Sequence, residues 1–195
     1  MKYSVIMASL LSDYPGSATG KDKKLIRAVE SVLKQTYANL ELIVVADGCA
    51  LTEYIVKHNF DDKRLSLIKV ERKELWSNKP RNTGIEAAKG KYIIYLDNDD
   101  YYGPDHLRKI DDQITGNEDW LYYNDMRWNG KEFIEREINI NLYGHCGTSN
   151  ICHAARLGLK WEKPGYGHDF LFIKQLRKFK GVKINTPEYF VCHEI

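Results

Sequence analysis

The 195-residue chain lacks an apolar run long enough to cross a bilayer, a large net charge, a CxxC pair and a glycine-rich phosphate loop. Each absence removes a class of function. A membrane-spanning helix needs about 20 consecutive apolar residues, and the opening MKYSVIMASL, residues 1–10, is a poor secretory signal. A net charge of +2, with its cations spread along the chain, calls for no nucleic acid partner. The four cysteines, Cys49, Cys146, Cys152 and Cys192, are unevenly spaced, so the sequence predicts reduced thiols and a cytoplasmic setting. Without GxGxxG or a Walker loop, a dinucleotide dehydrogenase and a P-loop ATPase are both disfavoured, because each needs glycines that let backbone amides cradle phosphate. A nucleotide diphosphate held here must be neutralised by side chains or a metal, and Lys79, Arg81 and the Asp97 cluster are the candidates.

One stretch invites a zinc reading. HCGTSNICH, residues 145–153, contains His145, Cys146, Cys152 and His153. Adjacent residues of an extended chain point to opposite faces, so the four side chains do not converge, and the ligand pairs spaced two to four apart that zinc sites use are missing. Ordinary core and surface roles are the expectation.

Apolar periodicity organises the chain. YSVIMASL (3–10) and LELIVVADG (40–48) read as strands buried on both faces, RLSLIKVER (64–72) as an alternating strand, and KYIIYLD (91–97) as a fourth. Leu25, Ala28, Val29, Val32 and Leu33 predict a helix over residues 24–35; a second surrounds Ile55 and Val56; a short third runs from Asn82 to Ala88 and stops at Gly90. Strand and helix alternating at these intervals predict an α/β domain: a mostly parallel sheet flanked by helices, whose ligands bind beyond the carboxyl ends of the strands. The second half is more mixed. A helix is expected after Pro104, WLYYNDMRWNGKEFIERE (120–137) predicts a hairpin about Asn129-Gly130, and HDFLFIKQLRKFKG (168–181) predicts a helix stopped by Gly181. With no linker or repeat, the expectation is a single domain over 1–195, with a nucleotide-binding half to about residue 103 and a mixed half from about 104.

The fourth strand runs directly into Asp97, Asp99 and Asp100. Like charges at the end of a buried strand need a positive partner. In extended backbone Asp97 and Asp99 leave the same face, and two hard oxygen ligands on one side suit Mg²⁺ or Mn²⁺, which also take phosphate oxygens. The bland alternative is a solvated acidic turn or a cap for the following helix. Asp47, delivered to the same rim by the second strand, favours function.

SVLKQTYANLELIVVADG (31–48) and KPRNTGIEAAKGKYIIYLDNDD (79–100) resemble the nucleotide-binding half of a family 2 glycosyltransferase with the GT-A fold, over roughly residues 3–110. The resemblance implies an inverting enzyme that moves a sugar from a nucleotide diphosphate donor, a UDP-sugar first, to a glycan or glycolipid hydroxyl. It implies that Ala8 and Ser9 line the base pocket through backbone, and that Asp47, in Ala46-Asp47-Gly48-Cys49, contacts the base with the family's preceding acid lost. Arg81 is expected to reach base or phosphate. Asp97-Asn98-Asp99 matches the DxD motif, with Asp97 at ribose and metal, Asn98 at the nucleotide through backbone, and Asp99 on Mn²⁺ or Mg²⁺. Asp100 is expected to serve a helix or turn. Leu10 stands where relatives carry a base-stacking aromatic, and Tyr14 is the substitute. The general base expected at the start of a late helix is Asp169 of YGHDFLF, with His168 beside it, and His193 of YFVCHEI matches a third metal ligand. Ser149 and Asn150 are expected to line the donor sugar.

Trp161, Tyr166 and Trp120 offer flat apolar faces for acceptor sugars. IKQLRKFKG (173–181) is either a solvated helix face or a peripheral membrane contact. Two competing readings remain: a non-catalytic module that binds a nucleotide sugar or glycan, and a phosphatase of the haloacid dehalogenase kind. The phosphatase motif, however, normally follows the first strand.

Overall fold

The computed structural model describes residues 2–13, 17–72, 77–162, 165, 167–185 and 188–192. Strands β1 (Tyr3–Ser9), β2 (Leu40–Asp47), β3 (Leu65–Val70) and β4 (Tyr92–Tyr95) alternate with helices α1 (Lys21–Leu33), α2 (Ala50–Asn59) and α3 (Asn78–Ala87). After them come β5 (Tyr101–Tyr102), α4 (His106–Gln113), β6 (Trp120–Tyr123), β7 (Asp125–Trp128), β8 (Phe133–Arg136), β9 (Ile151–Ala154), α5 (His168–Leu176), β10 (Gly181–Ile184) and β11 (Tyr189–Val191).

The larger sheet has the order β10-β6-β9-β4-β1-β2-β3. Its strands run parallel except β9, which is antiparallel to both β4 and β6. The α/β expectation therefore holds. Side chains alternate across β1 as a doubly covered sheet requires. Tyr3, Val5 and Met7 pack with Leu25, Val29 and Val32 of α1, Val56 of α2 and Ile110 of α4. Ile6, with Ile93 and Tyr95 of β4, faces Phe172, Ile173 and Leu176 of α5. Gly84 of α3 lies against Ile6, where an added Cβ would come within 2.4 Å of Cγ2, so only glycine allows this approach of α3 to β1. Strand β3 is the sheet's edge, and its exposed residues, Ser66 and Lys69, are three apart and so fall on opposite faces rather than in the expected alternation.

Three local expectations shift. Helix α3 begins at Asn78 rather than Asn82, because Pro80 falls within the first turn, where backbone amides have no helical acceptor to lose. Helix α4 begins at His106, after the turn that holds Pro104. The 120–137 run is not a single hairpin: it breaks at Asn124, so β6 joins the large sheet while β7 and β8 form the hairpin about Asn129-Gly130 in a smaller sheet of order β5-β11-β7-β8. Cys152 and His153 lie on opposite faces of β9, the thiol in the core with Tyr3 and Ile94 and the imidazole beside Tyr95. Among the described residues no helix is long and apolar enough to cross a membrane. Arg177, Lys178 and Lys180 are exposed at the end of α5.

Candidate active site

The carboxyl ends of β1, β2 and β4 bring Ser9, Asp47 and Asp97 to one rim. The residues after β4 form a turn in which the Asp100 amide donates to the Asp97 carbonyl across 3.2 Å. This corrects the extended-backbone argument: Asp97 and Asp99 are brought together by a turn, not by strand alternation. Arg27 of α1 fixes that turn, donating to the Asp99 carbonyl at 2.8 Å. Asn98 donates its side-chain amide to Ser9 Oγ at 3.2 Å, and Ser9 Oγ is also bonded to Thr52 Oγ1 at 2.9 Å. The Asn98 and Ser9 side chains thus stitch the acidic turn to β1 and α2. Ala8 is half-buried beside them, paired with Val45 of β2.

Asp47 closes β2 and is buried. The Gly48 that follows has φ +62°, and a Cβ there would approach Arg72 Cβ to 2.7 Å, so the bend beyond Asp47 requires glycine on both counts.

Arg81 supplies the positive charge that the acidic strand end demanded. Its side chain is only 8 % exposed; Nη2 is 3.3 Å from Asp97 Oδ1 and Nη1 is 3.8 Å from Asp169 Oδ1. Nη1 also meets His168 Nε2 at 2.7 Å. Beneath the guanidinium, at 4.7 Å, lies the ring of Trp161, which is itself stacked on Phe172 at 4.1 Å. Lys79 turns away, donating to the Glu71 carbonyl at 2.8 Å.

Asp169 sits in the first turn of α5 with about a third of its side chain exposed. Three contacts converge on Oδ1: a short hydrogen bond from the Thr148 hydroxyl, His168 Nε2 at 3.2 Å and Arg81. Among the described residues none reaches Oδ2. Burial alone would raise this carboxyl, but the His168 contact, the Arg81 charge and the Thr148 hydroxyl outweigh it, and its pKa lies below the ordinary value. The His168 ring is fixed in turn by Nδ1, 3.0 Å from the Gly165 carbonyl. Asp97 moves the other way. Enclosure by neighbouring protein pushes its pKa up although 42 % of its side chain is exposed, Asp99 and Asp169 add to the push, and Arg81 opposes it.

Several expected roles change. Ser149 is buried and its hydroxyl accepts from the Asp97 amide at 3.2 Å, while Asn150 donates to the Tyr123 carbonyl at 3.2 Å and to Asp125 at 3.0 Å. Both hold the framework and neither lines an open pocket. Trp161 and Trp120 are buried at 3 % and 2 % exposure, so neither presents a face to an acceptor. Asp100 serves the turn, as expected, through its amide bond to the Asp97 carbonyl. It is buried and accepts from the Tyr189 hydroxyl and, at 2.6 Å, from the Cys192 amide, which ties the chain's last described segment to the acidic turn. Lys24 completes the tie through the Cys192 carbonyl at 3.0 Å. Tyr14, Tyr166 and His193 lie outside the described residues.

The donor set fits a hard divalent cation. Asp97, Asp99 and Asp169 outnumber the two guanidinium groups at the turn, Arg81 and Arg27, and carboxylates are the ligands Mg²⁺ and Mn²⁺ prefer. Among the described residues no cluster of three or more His, Cys, Asp or Glu side chains is arranged to hold a metal. An ion at Asp97 and Asp99 would take its remaining ligands from outside the described His, Cys, Asp and Glu side chains.

The family model for glycosyl transferase family 2 matches residues 18–180. WfgD of Escherichia coli, named as a UDP-Glc:alpha-D-GlcNAc-diphosphoundecaprenol beta-1,3-glucosyltransferase, is 32 % identical over 151 residues, covering 74 % of this chain and 56 % of its own. The succinoglycan biosynthesis protein ExoO of Rhizobium meliloti is 37 % identical over 86 residues, 44 % of this chain and 24 % of its own length. The chain thus spans little more than half of WfgD and a quarter of ExoO in these matches. In fold it is similar to Staphylococcus aureus TarS 1-349, solved in complex with UDP, with a TM-score of 0.78 at 18 % identity over 98 % of this chain and 60 % of that one. A mannosyltransferase from Pyrobaculum calidifontis, solved with GDP-Man and Mn²⁺, gives 0.71 at 12 % identity over 98 % and 56 %. The large, mostly parallel sheet flanked by helices is similar to that of GT-A glycosyltransferase structures such as TarS. The match leaves no place for the phosphatase reading: the chain belongs to glycosyl transferase family 2.

Proposed function

We propose that this domain is a metal-dependent, inverting glycosyltransferase that moves a sugar from a nucleotide diphosphate donor, a UDP-sugar, to a hydroxyl of a glycan or glycolipid. The observation that carries the reading is the line Asp97–Arg81–Asp169 at the carboxyl rim of a family 2 domain. The names of TarS, solved with UDP and with UDP-GlcNAc, and of WfgD support the choice of uracil nucleotide. In this reading residues to about 103 hold the donor and those from about 104 face the acceptor.

Ala8, Ser9 and Asp47 line the base and ribose side, with Asp97, Asn98 and Arg81 toward the diphosphate. Asp99 and Asp97, with His193, hold Mn²⁺ or Mg²⁺. When bound, the ion neutralises charge that gathers on the departing diphosphate. Asp169 acts as general base. Its Oδ1 is held by Thr148 and Arg81, so Oδ2 is left to accept the acceptor's hydroxyl proton. As that proton moves, the acceptor oxygen bonds to the anomeric carbon from the face opposite the leaving phosphate oxygen, and the sugar–phosphate bond breaks with inversion. A lowered pKa keeps Asp169 ionised through neutral pH. The four free thiols support a reducing, cytoplasmic setting, and the basic end of α5 is the surface for any peripheral membrane contact.

The test is nucleotide release from UDP-glucose and UDP-GlcNAc with Mn²⁺, beside calorimetric binding of UDP. Asp169→Asn is expected to lower turnover by about 10²–10⁴-fold with UDP affinity retained. Turnover by this variant at the wild-type rate removes Asp169 as base, and a wild-type chain that binds no nucleotide with Mn²⁺ removes the reading altogether.

A further inference from the structure

Next to Asp169 the chain exposes an aromatic ring that the mechanism above does not use. Tyr143 is 57 % exposed and Leu142 beside it 48 %, in a segment otherwise made of polar turns. These side chains are displayed rather than frayed. The Leu142 amide donates to the Asn139 carbonyl at 3.2 Å, the Asn141 amide to Asn139 Oδ1 at 3.0 Å and the His145 amide to the Leu142 carbonyl at 3.3 Å. Cys146, buried at 4 % exposure, pins the segment's far end just before Thr148, which bonds Asp169.

The ring is seated against the helix that carries the base. Tyr143 meets Phe170, the residue after Asp169, edge to face at 5.5 Å. Gly167, directly before α5, has φ +91°, and a Cβ on it would fall 2.5 Å from the Tyr143 hydroxyl. Glycine at 167 is therefore what lets Tyr143 lie across the entry to α5. The exposed Asn141 and His145 flank the ring along the chain with polar groups.

We infer that Tyr143, with Phe170 beneath its edge, is the platform on which an acceptor sugar ring stacks, which makes the acceptor a glycan engaged through a pyranose face. The inference rests on the glycosyl-transfer reading. A pyranose ring is apolar on its C–H faces and polar around its rim, and the site offers the complement: an aromatic plane with amide and imidazole groups at its border. Trp161 and Trp120, the aromatic residues that the sequence first suggested, are unsuited because they are buried. Tyr143 escapes a sequence reading because nothing in INLYGHC distinguishes a displayed ring from a core one.

The experiment is a glycan array probed with the wild-type chain and with Tyr143→Ala, Tyr143→Phe and Tyr143→Leu, each with UDP and Mn²⁺ present, alongside calorimetry with UDP. The expected result is binding to a defined subset of glycans that falls at least tenfold in Tyr143→Ala, falls in Tyr143→Leu and persists in Tyr143→Phe, with UDP affinity reporting an intact fold. Binding by Tyr143→Ala equal to wild type, or no binding by the wild type to any glycan, overturns the platform while UDP affinity leaves glycosyl transfer standing. Glycan binding that depends on Tyr143 in a chain with no affinity for UDP supports the sugar platform and overturns the transfer reading instead.

Discussion

Arg81 Nη2 lies 3.3 Å from Asp97 Oδ1, a contact that joins the third helix to the acidic turn after the fourth strand. The same guanidinium faces Asp169 from its other nitrogen, so one buried cation sets the ionisation of two carboxylates with opposite outcomes. Asp97 is raised by its surroundings in spite of Arg81, whereas Asp169, which also has His168 and Thr148, is lowered.

Arg81→Met removes that cation while keeping an apolar stem on Trp161. Both carboxyl pKa values then rise. A raised Asp169 protonates at higher pH, so the acid limb of the pH–rate profile moves to higher pH. A limb that stays in place shows that Arg81 does not tune the base.

His106 predicts a gain from substitution. It is fully buried and stacked on Tyr102 at 4.0 Å, and among the described residues neither ring nitrogen has a hydrogen-bond partner. Burial first, and Lys109 second, lower its pKa to about 3. The unfolded chain takes up a proton near pH 6.5 that the folded one refuses, so stability is present above that pH and is lost as pH falls toward 3. His106→Phe relieves a buried polar ring and is expected to stabilise by about 1–2 kcal/mol at neutral pH. The gain should widen below pH 6.5, read from urea unfolding between pH 5 and 8. A loss of stability at every pH argues that the imidazole is satisfied. His153, lowered by burial to about 4, adds to the acid sensitivity that remains.

Tyr189 closes the last described segment onto the acidic turn by donating to buried Asp100. Burial raises that carboxyl well above its ordinary value, with Asp99 and Asp97 adding, and the Tyr189 and Cys192 donors act against the rise. Tyr189→Phe leaves one oxygen without a donor and is expected to cost about 1–3 kcal/mol. The same variant should weaken Mn²⁺-dependent UDP binding, because Cys192 immediately precedes His193. Unchanged unfolding and unchanged UDP affinity together remove the anchoring role.

What the sequence determined by itself was the scaffold and its acidic end. Continuous apolar runs in β1, β2 and β4, helical spacing in α1 and the Asp-Asn-Asp after β4 are signals carried within a few residues, and hydrophobic burial acts on such local patterns. Residues 120–137 show the limit, because which sheet each strand joins depends on partners elsewhere in the chain. Only the tertiary structure decided how the charges pair. Arg81 meets His168 across 87 positions, and Asp100 meets Cys192 across 92. Thr148 grips Asp169, and Ser149 and Asn150 turn inward, because β9 is inserted between β4 and β6. Coulomb and hydrogen-bond energies fall off over a few ångströms. Which charge neutralises which is therefore settled by the docking of α3 and α5 on one face of the sheet, and no spacing along the chain encodes it.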